Sequence, residues 1–192
     1  MFLDVDLDGY EDVLFAAGYD RDSNYVRSVQ MTWSVLGGIG RVSPLTLSDS
    51  VIFNPNRTGQ GQIKADTTGF SATSGLFYIT AGDTAFIAIR TGTNSGGARY
   101  DTLDITMNAD SVLNLYAAGY DSDSNYVGDV QVYWDTLGGS GGLSNFNDSV
   151  SKSIQYAPTL TGSDSIKAIY FGGNFKDTTG TITVVKGAAS AV

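Results

Sequence analysis

Apolar and polar residues alternate along several short stretches of the chain. Val29, Met31, Trp33 and Val35 are separated by single residues, as are Val130, Val132 and Trp134. The same spacing joins Leu3, Val5 and Leu7, and again Leu103, Ile105 and Met107. A period of two puts every second side chain on one face of an extended strand, so each stretch predicts a β-strand resting on a core. Between the stretches lie GYDRDSN, LGGIG, NPNRTG and GGNFKDTTG, rich in residues that accept turn geometry. Turns recurring every ~8–12 residues, with no run of helical period, predict an all-β chain of antiparallel sheets packed face to face. Trp33 and Trp134 are placed at the centres of two cores.

Two cores follow because the sequence is written twice. LFAAGYDRDSNYV (14–26) returns as LYAAGYDSDSNYV (115–127), identical at eleven of thirteen positions and 101 residues further on. SVQMTWSVLGGIG (28–40) is answered by DVQVYWDTLGGSG (129–141), and VIFNPNRTGQGQIKA (51–65) by SIQYAPTLTGSDSIKA (153–168). TSGLFYIT (73–80) pairs with TTGTITVV (178–185), by which point the offset has grown to 105. Insertions that accumulate in small steps belong in loops, so one β unit is duplicated over nearly the whole chain.

The run AAGYDxDxNYVxxVxxxW, then GGxG and a closing strand of the TGTITV kind, resembles the tandem bacterial immunoglobulin-like domains of invasin- and intimin-type surface proteins. The resemblance covers most of both halves. It implies two Greek-key β-sandwiches in tandem and a stalk or adhesive role on a cell surface or in a secreted protein, with no catalytic residues to carry over.

The copies differ at their start. AGDTAFIAIRTGTNSGGARYD (81–101) holds a strong strand in Phe86–Arg90, while the first copy begins at the point matching Leu103. The expected organisation is an incomplete sandwich over 1–82 lacking its initial strand, a complete one over 83–187, and 188–192 as either a C-terminal tail or the start of a further strand. The first sandwich should expose an apolar seam and an unpaired edge. Either the strand lies upstream in a longer array or a neighbouring molecule donates it, with AASAV (188–192) as candidate donor. Head-to-tail donation does not close on itself and builds a filament.

Charge narrows the partners. Eleven basic residues face twenty acidic ones, a net of −9, and all the acids but Glu11 are aspartate. Aspartate favours turns over helices. A negative surface without a basic stripe disfavours nucleic acid and anionic membrane and leaves cations, calcium first. The absence of Cys and His excludes zinc sites built on those ligands, and Ser–His or Cys–His catalytic pairs. No apolar stretch approaches the ~18–20 residues of a spanning helix, and MFLDVDLDGY lacks the layout of a secretion signal.

Two acidic groups have the spacing of calcium ligands. In DVDLDGYED, Asp4, Asp6, Asp8 and Asp12 fall at the liganding positions of an EF-hand-like loop, with Gly9 at the turn and Tyr10 offering its carbonyl. The repeat alignment instead sets Asp4, Asp6 and Asp8 on the outward face of a strand, where alternate side chains stand roughly 7 Å apart. The second group is the repeated Asp20, Asp22, Asn24 and Asp121, Asp123, Asn125, read either as a tight turn held by its own side chains or as a calcium site at a domain junction. Tyr19, Tyr25, Tyr120 and Tyr126 accompany it, as sugar-stacking rings or as packing at the sandwich ends with hydroxyls on nearby backbone. Asn56 and Asn147 head glycosylation sequons in loops.

The leading functional expectation is a non-catalytic structural or adhesive module, partnered by further copies of itself or adjacent immunoglobulin-like domains. The alternative is a carbohydrate- or calcium-binding accessory module of a larger secreted protein. Glycoside hydrolysis by paired carboxylates comes third, since nothing in the spacing brings two aspartates into one cleft.

Overall fold

In a computed structural model of the chain, residues 12–101, 103–138 and 150–187 are described. They form strands and loops with no helix among them, arranged as immunoglobulin-like β-sandwich layers. The chain divides into two compact units, Met1–Gly82 and Asp83–Val192.

Unit 1 contains β1 (Asp12–Phe15), β2 (Ala17–Tyr19), β3 (Tyr25–Ser28), β4 (Thr32–Leu36), β5 (Gly40–Ser43), β6 (Ser50–Pro55), β7 (Gly59–Thr67), β8 (Phe70–Thr73) and β9 (Phe77–Ile79). One sheet runs β1–β6–β5, β2 pairs with β3, and β4, β8 and β9 all pair with β7. The alternation read from the sequence governs burial: in β4 Trp33 turns inward between exposed Thr32 and Ser34, and in β7 Gly61, Ile63 and Ala65 turn inward together. Leu14, Trp33, Val51, Phe53 and Ile63 close the core. The turn after β4 needs glycine at residue 37, which sits at φ +88° where a Cβ would run into the Gln60 carbonyl oxygen.

Unit 2 contains β10 (Phe86–Arg90), β11 (Ile105–Asn108), β12 (Leu113–Tyr120), β13 (Tyr126–Asp129), β14 (Val132–Thr136), β15 (Ser153–Tyr156), β16 (Gly162–Asp164), β17 (Ile166–Tyr170), β18 (Lys176–Thr178) and β19 (Ile182–Val185). The order β10–β12–β13, with β15 also on β12, forms one sheet; β14–β17–β18 and β11–β19–β16 form the others. Ile87, Ile89, Leu115, Trp134, Tyr156 and Ile182 meet in its core.

The duplication is structural as well as written. Trp33 faces Ala65 across β4 and β7, and Trp134 faces Ala168 across β14 and β17. Each indole N–H donates to a serine carbonyl, Trp33 to Ser48 at 3.0 Å and Trp134 to Ser151 at 3.2 Å. A bulge interrupts β2–β3 between Gly18 and Tyr19, and β12–β13 between Gly119 and Tyr120.

One pairing corrects the expectation of purely antiparallel sheets: β11 lies parallel to β19, Ile105 opposite Ile182. No hairpin connects these strands in the chain, so nothing forces the antiparallel sense.

Candidate functional site

Both copies of GYDxDSNY fold into one turn. Asp20 Oδ1 accepts the amides of Asp22 and Asn24, each at 2.9 Å, and Asn24 Nδ2 donates to Asp20 Oδ2 at 3.2 Å. In the second copy Asp121 Oδ1 accepts from Asp123 at 3.0 Å and Asn125 at 2.8 Å, and Asn125 Nδ2 donates to Oδ2 at 3.0 Å. Ser23 and Ser124 take the left-handed backbone, at φ 65° and 67°. The donors of Asn24, backbone first, hold the Asp20 carboxyl below its ordinary value of 3.8. Asp22 and Asp123 are exposed. Among the described residues, no three Asp, Glu, His or Cys side chains gather closely enough to hold a metal ion. Asp4, Asp6 and Asp8 lie outside the described residues, and Asp12 opens β1 with its backbone.

The two turns share a geometry but not an environment. Tyr120, Asp121 and Asn125 are buried, at 9%, 4% and 9% exposure. Tyr19, Asp20 and Asn24, the same letters 101 residues earlier, are all exposed, Tyr19 at 63%. The difference is β10. It lies antiparallel on β12 with Phe86 opposite Tyr120, Ala88 opposite Ala118 and Arg90 opposite Tyr116, and it is buried on both faces over Ile87–Ile89. Phe86 stacks on Tyr120 at 5.2 Å, and Arg90 Nη1 donates to the Tyr120 hydroxyl at 3.1 Å. In unit 1 β2 pairs with β3, and among the described residues no strand takes its other edge.

An apolar groove of about 670 Å³ opens in unit 1 at that place. Ala16, Ala17, Gly18 and Tyr19 form one wall, Phe70–Thr73 of β8 the other, and Trp33 and Ile63 the floor. Tyr19 and Tyr25 already stand edge to face at 6.1 Å, as Tyr120 and Tyr126 do at 6.0 Å. Among the described residues, an exposed apolar seam thus lies where the sequence predicts one.

The tyrosine hydroxyls of unit 2 meet side chains rather than backbone. Tyr120 accepts from Arg90, and Tyr126 donates to Asp129 at 2.7 Å. Burial, then Asp129, pushes the Tyr126 hydroxyl up to about 12. As to a sugar platform, Tyr133 and Phe171 are exposed neighbours, but their planes are inclined at 56° and offer no common flat face.

Two features escaped the sequence reading. Asp177 on β18 accepts the Ile89 amide at 2.6 Å and so fastens β10 from the side away from β12. Ala72 stands in its place in unit 1, since each faces the matched alanine of the neighbouring strand, Ala65 or Ala168. A carboxylate present in only one copy, like the strand present in only one copy, was the available signal. The second is the buried pair of Tyr156 and Asp164, joined by a hydrogen bond.

Burial, against the amides of Ile89 and Thr178, raises the Asp177 pKa above its ordinary 3.8, with Asp101 adding to the rise and Arg99 opposing it. A raised folded-state pKa means that the folded unit holds this proton to a higher pH than the unfolded chain does. Its contribution to stability is full below 3.8 and is lost as pH climbs through the raised value. Asp177→Asn is therefore expected to remove a loss of unit 2 stability that sets in as pH rises above 3.8, read from urea midpoints by Trp134 fluorescence in a Trp33→Phe background. An unchanged slope would show that Asp177 does not titrate in that range.

No family model matches the chain, and no curated protein does. Among solved structures, the D00–D0 domains of intimin align over 85% of this chain and 89% of theirs, at 14% identity and a TM-score of 0.48. The chain is similar to immunoglobulin-like domains of intimin. It is also similar to domains 4 and 5 of the S-layer protein SbsC, over 91% of this chain and 82% of that one, at 15% identity and a TM-score of 0.37. The Yersinia pseudotuberculosis adhesin InvE matches over 91% of this chain and 54% of its own, at 10% identity and a TM-score of 0.37.

Proposed function

We propose that the chain is a non-catalytic structural module of an extracellular or cell-surface protein, in which tandem sandwiches supply length and a β-strand from a neighbouring copy completes the first unit head to tail. One observation carries this reading: β10 covers the thirteen-residue motif in unit 2, while among the described residues no strand covers it in unit 1, where Tyr19 and Tyr25 are exposed. Bare aromatic rings beside an unpaired strand edge are unfavourable in water and invite strand addition. Donation from tail to groove is heterologous and propagates, which suits a fibre or an array more than a closed dimer.

The chain's residues 188–192, outside the described residues, are the donor this reading names. Removing residues 186–192 is expected to convert assemblies of the purified chain to monomers, measured by sedimentation velocity and electron microscopy. Filaments of undiminished length after the deletion would overturn donation by the tail, and a wild-type chain that stays monomeric at all concentrations would overturn head-to-tail assembly.

A further inference from the structure

We infer that the unit 1 groove accepts a strand of one side-chain pattern from another molecule: aromatic, isoleucine, small residue, isoleucine, arginine, laid antiparallel on Ala17–Tyr19. The inference rests on the reading above that an added strand completes unit 1, and ranks the strands that could do so: residues 188–192 bring small side chains but no aromatic ring, isoleucine or arginine, so a strand of the Phe86–Arg90 pattern is expected to bind more tightly than the tail.

The chain contains its own example of the filled site. β10 lies between β12 and β18, and the groove lies between their counterparts β2 and β8. The walls match residue for residue where the strand touches: Ala16, Ala17, Gly18 and Tyr19 stand for Ala117, Ala118, Gly119 and Tyr120. The register of β10 therefore transfers directly. An aromatic ring opposite Tyr19 repeats the stack of Phe86 on Tyr120. Isoleucines opposite Gly18 and Ala16 enter the core, as Ile87 and Ile89 do, both nearly inaccessible in unit 2. Between them a small side chain is expected, because Ala88 lies opposite Ala118 in unit 2 with neither exposed. The closing arginine reaches back to the Tyr19 hydroxyl, as Arg90 reaches that of Tyr120. Main-chain bonds give such a strand its affinity, and the alternate pockets give it selectivity.

One wall differs. Ala72 replaces Asp177, so the amide of the fourth strand residue finds no carboxylate in unit 1. Ala72 is exposed, and Ala72→Asp is expected to tighten the strand by about tenfold, since a hydrogen bond to an ionised acceptor is among the stronger ones. A merely sticky apolar patch would gain nothing from a carboxylate.

The test uses the whole chain and a peptide with the sequence of residues 83–92, followed by calorimetry and by hydrogen exchange at Ala17–Tyr19. Binding with new protection at those amides is expected. A peptide carrying Ile87→Asp and Ile89→Asp is expected to bind at least ~100-fold more weakly, because it buries two charges. Ala17→Glu in the chain, at an exposed position, is expected to block binding without lowering the melting of the unfilled unit. Equal binding of the native and Asp-substituted peptides would overturn the pattern while leaving strand addition standing. Failure of every peptide to bind would overturn the acceptor site and strand addition together.

Discussion

Trp134→Ala is expected to destabilise unit 2 by about 3–5 kcal/mol, the range for emptying a large aromatic site in a packed core. The indole is 8% exposed and packs with Ile89, Leu115, Ile166 and Ala168 in the core that joins the sheets. With typical domain stabilities of ~5–15 kcal/mol, such a loss removes a large share of the total. Trp134→Phe separates packing from hydrogen bonding. The Ser151 carbonyl accepts the Val132 amide at 3.1 Å as well as the indole N–H, so it keeps a partner, and the phenylalanine variant is expected to lose only ~1 kcal/mol through the hydrogen bond. Urea unfolding followed by far-UV circular dichroism measures both. A cost below ~1 kcal/mol for the alanine variant would mean that the indole does not organise the core.

The tryptophans illustrate which parts of the fold were readable in the letters. Strand alternation around Trp33 and Trp134 depends only on neighbours in sequence, and the side chains sit where the period of two puts them. The extra strand at Phe86–Arg90 was visible because one copy had it and the other did not. The expected exposed seam followed from comparing the copies, and Tyr19 and Tyr120 now show it as opposite burial of one letter. What the letters left open depends on contacts across the fold. The parallel sense of β11 and β19 comes from a crossover, and the catch of Asp177 on Ile89 joins residues 88 apart. The turn motif is an intermediate case. Its Asp and Asn residues suggested either a self-bonded turn or a calcium site, and the amides of Asp22 and Asn24 donate to Asp20.

The second large effect is expected at Tyr156, whose role appears only when the two cores are compared. Its ring is fully buried, and its hydroxyl donates to Asp164 Oδ2 at 2.8 Å, with Asp164 itself 3% exposed. The repeat places Phe53 and Gly61 at the corresponding positions of unit 1, where the Ile39 side chain lies against Gly61. One copy thus fills this corner with hydrocarbon and the other with a hydrogen-bonded polar pair. Tyr156→Phe copies half of the unit 1 solution and withdraws a donor from a buried carboxylate, so it is expected to cost on the order of 2–3 kcal/mol. Adding Asp164→Gly completes the exchange of types and removes the carboxylate that had accepted the tyrosine's bond. The double variant still lacks the apolar filler of unit 1 and remains below wild type, but by less than the two single costs added together. The coupling from the four-variant cycle is expected to reach at least ~1 kcal/mol, as for residues in direct contact. Urea midpoints read by Trp134 fluorescence supply the cycle. Strictly additive costs would show that the bond contributes nothing beyond the two residues taken separately, and that the polar pair is a packing substitute for Phe53, Gly61 and Ile39.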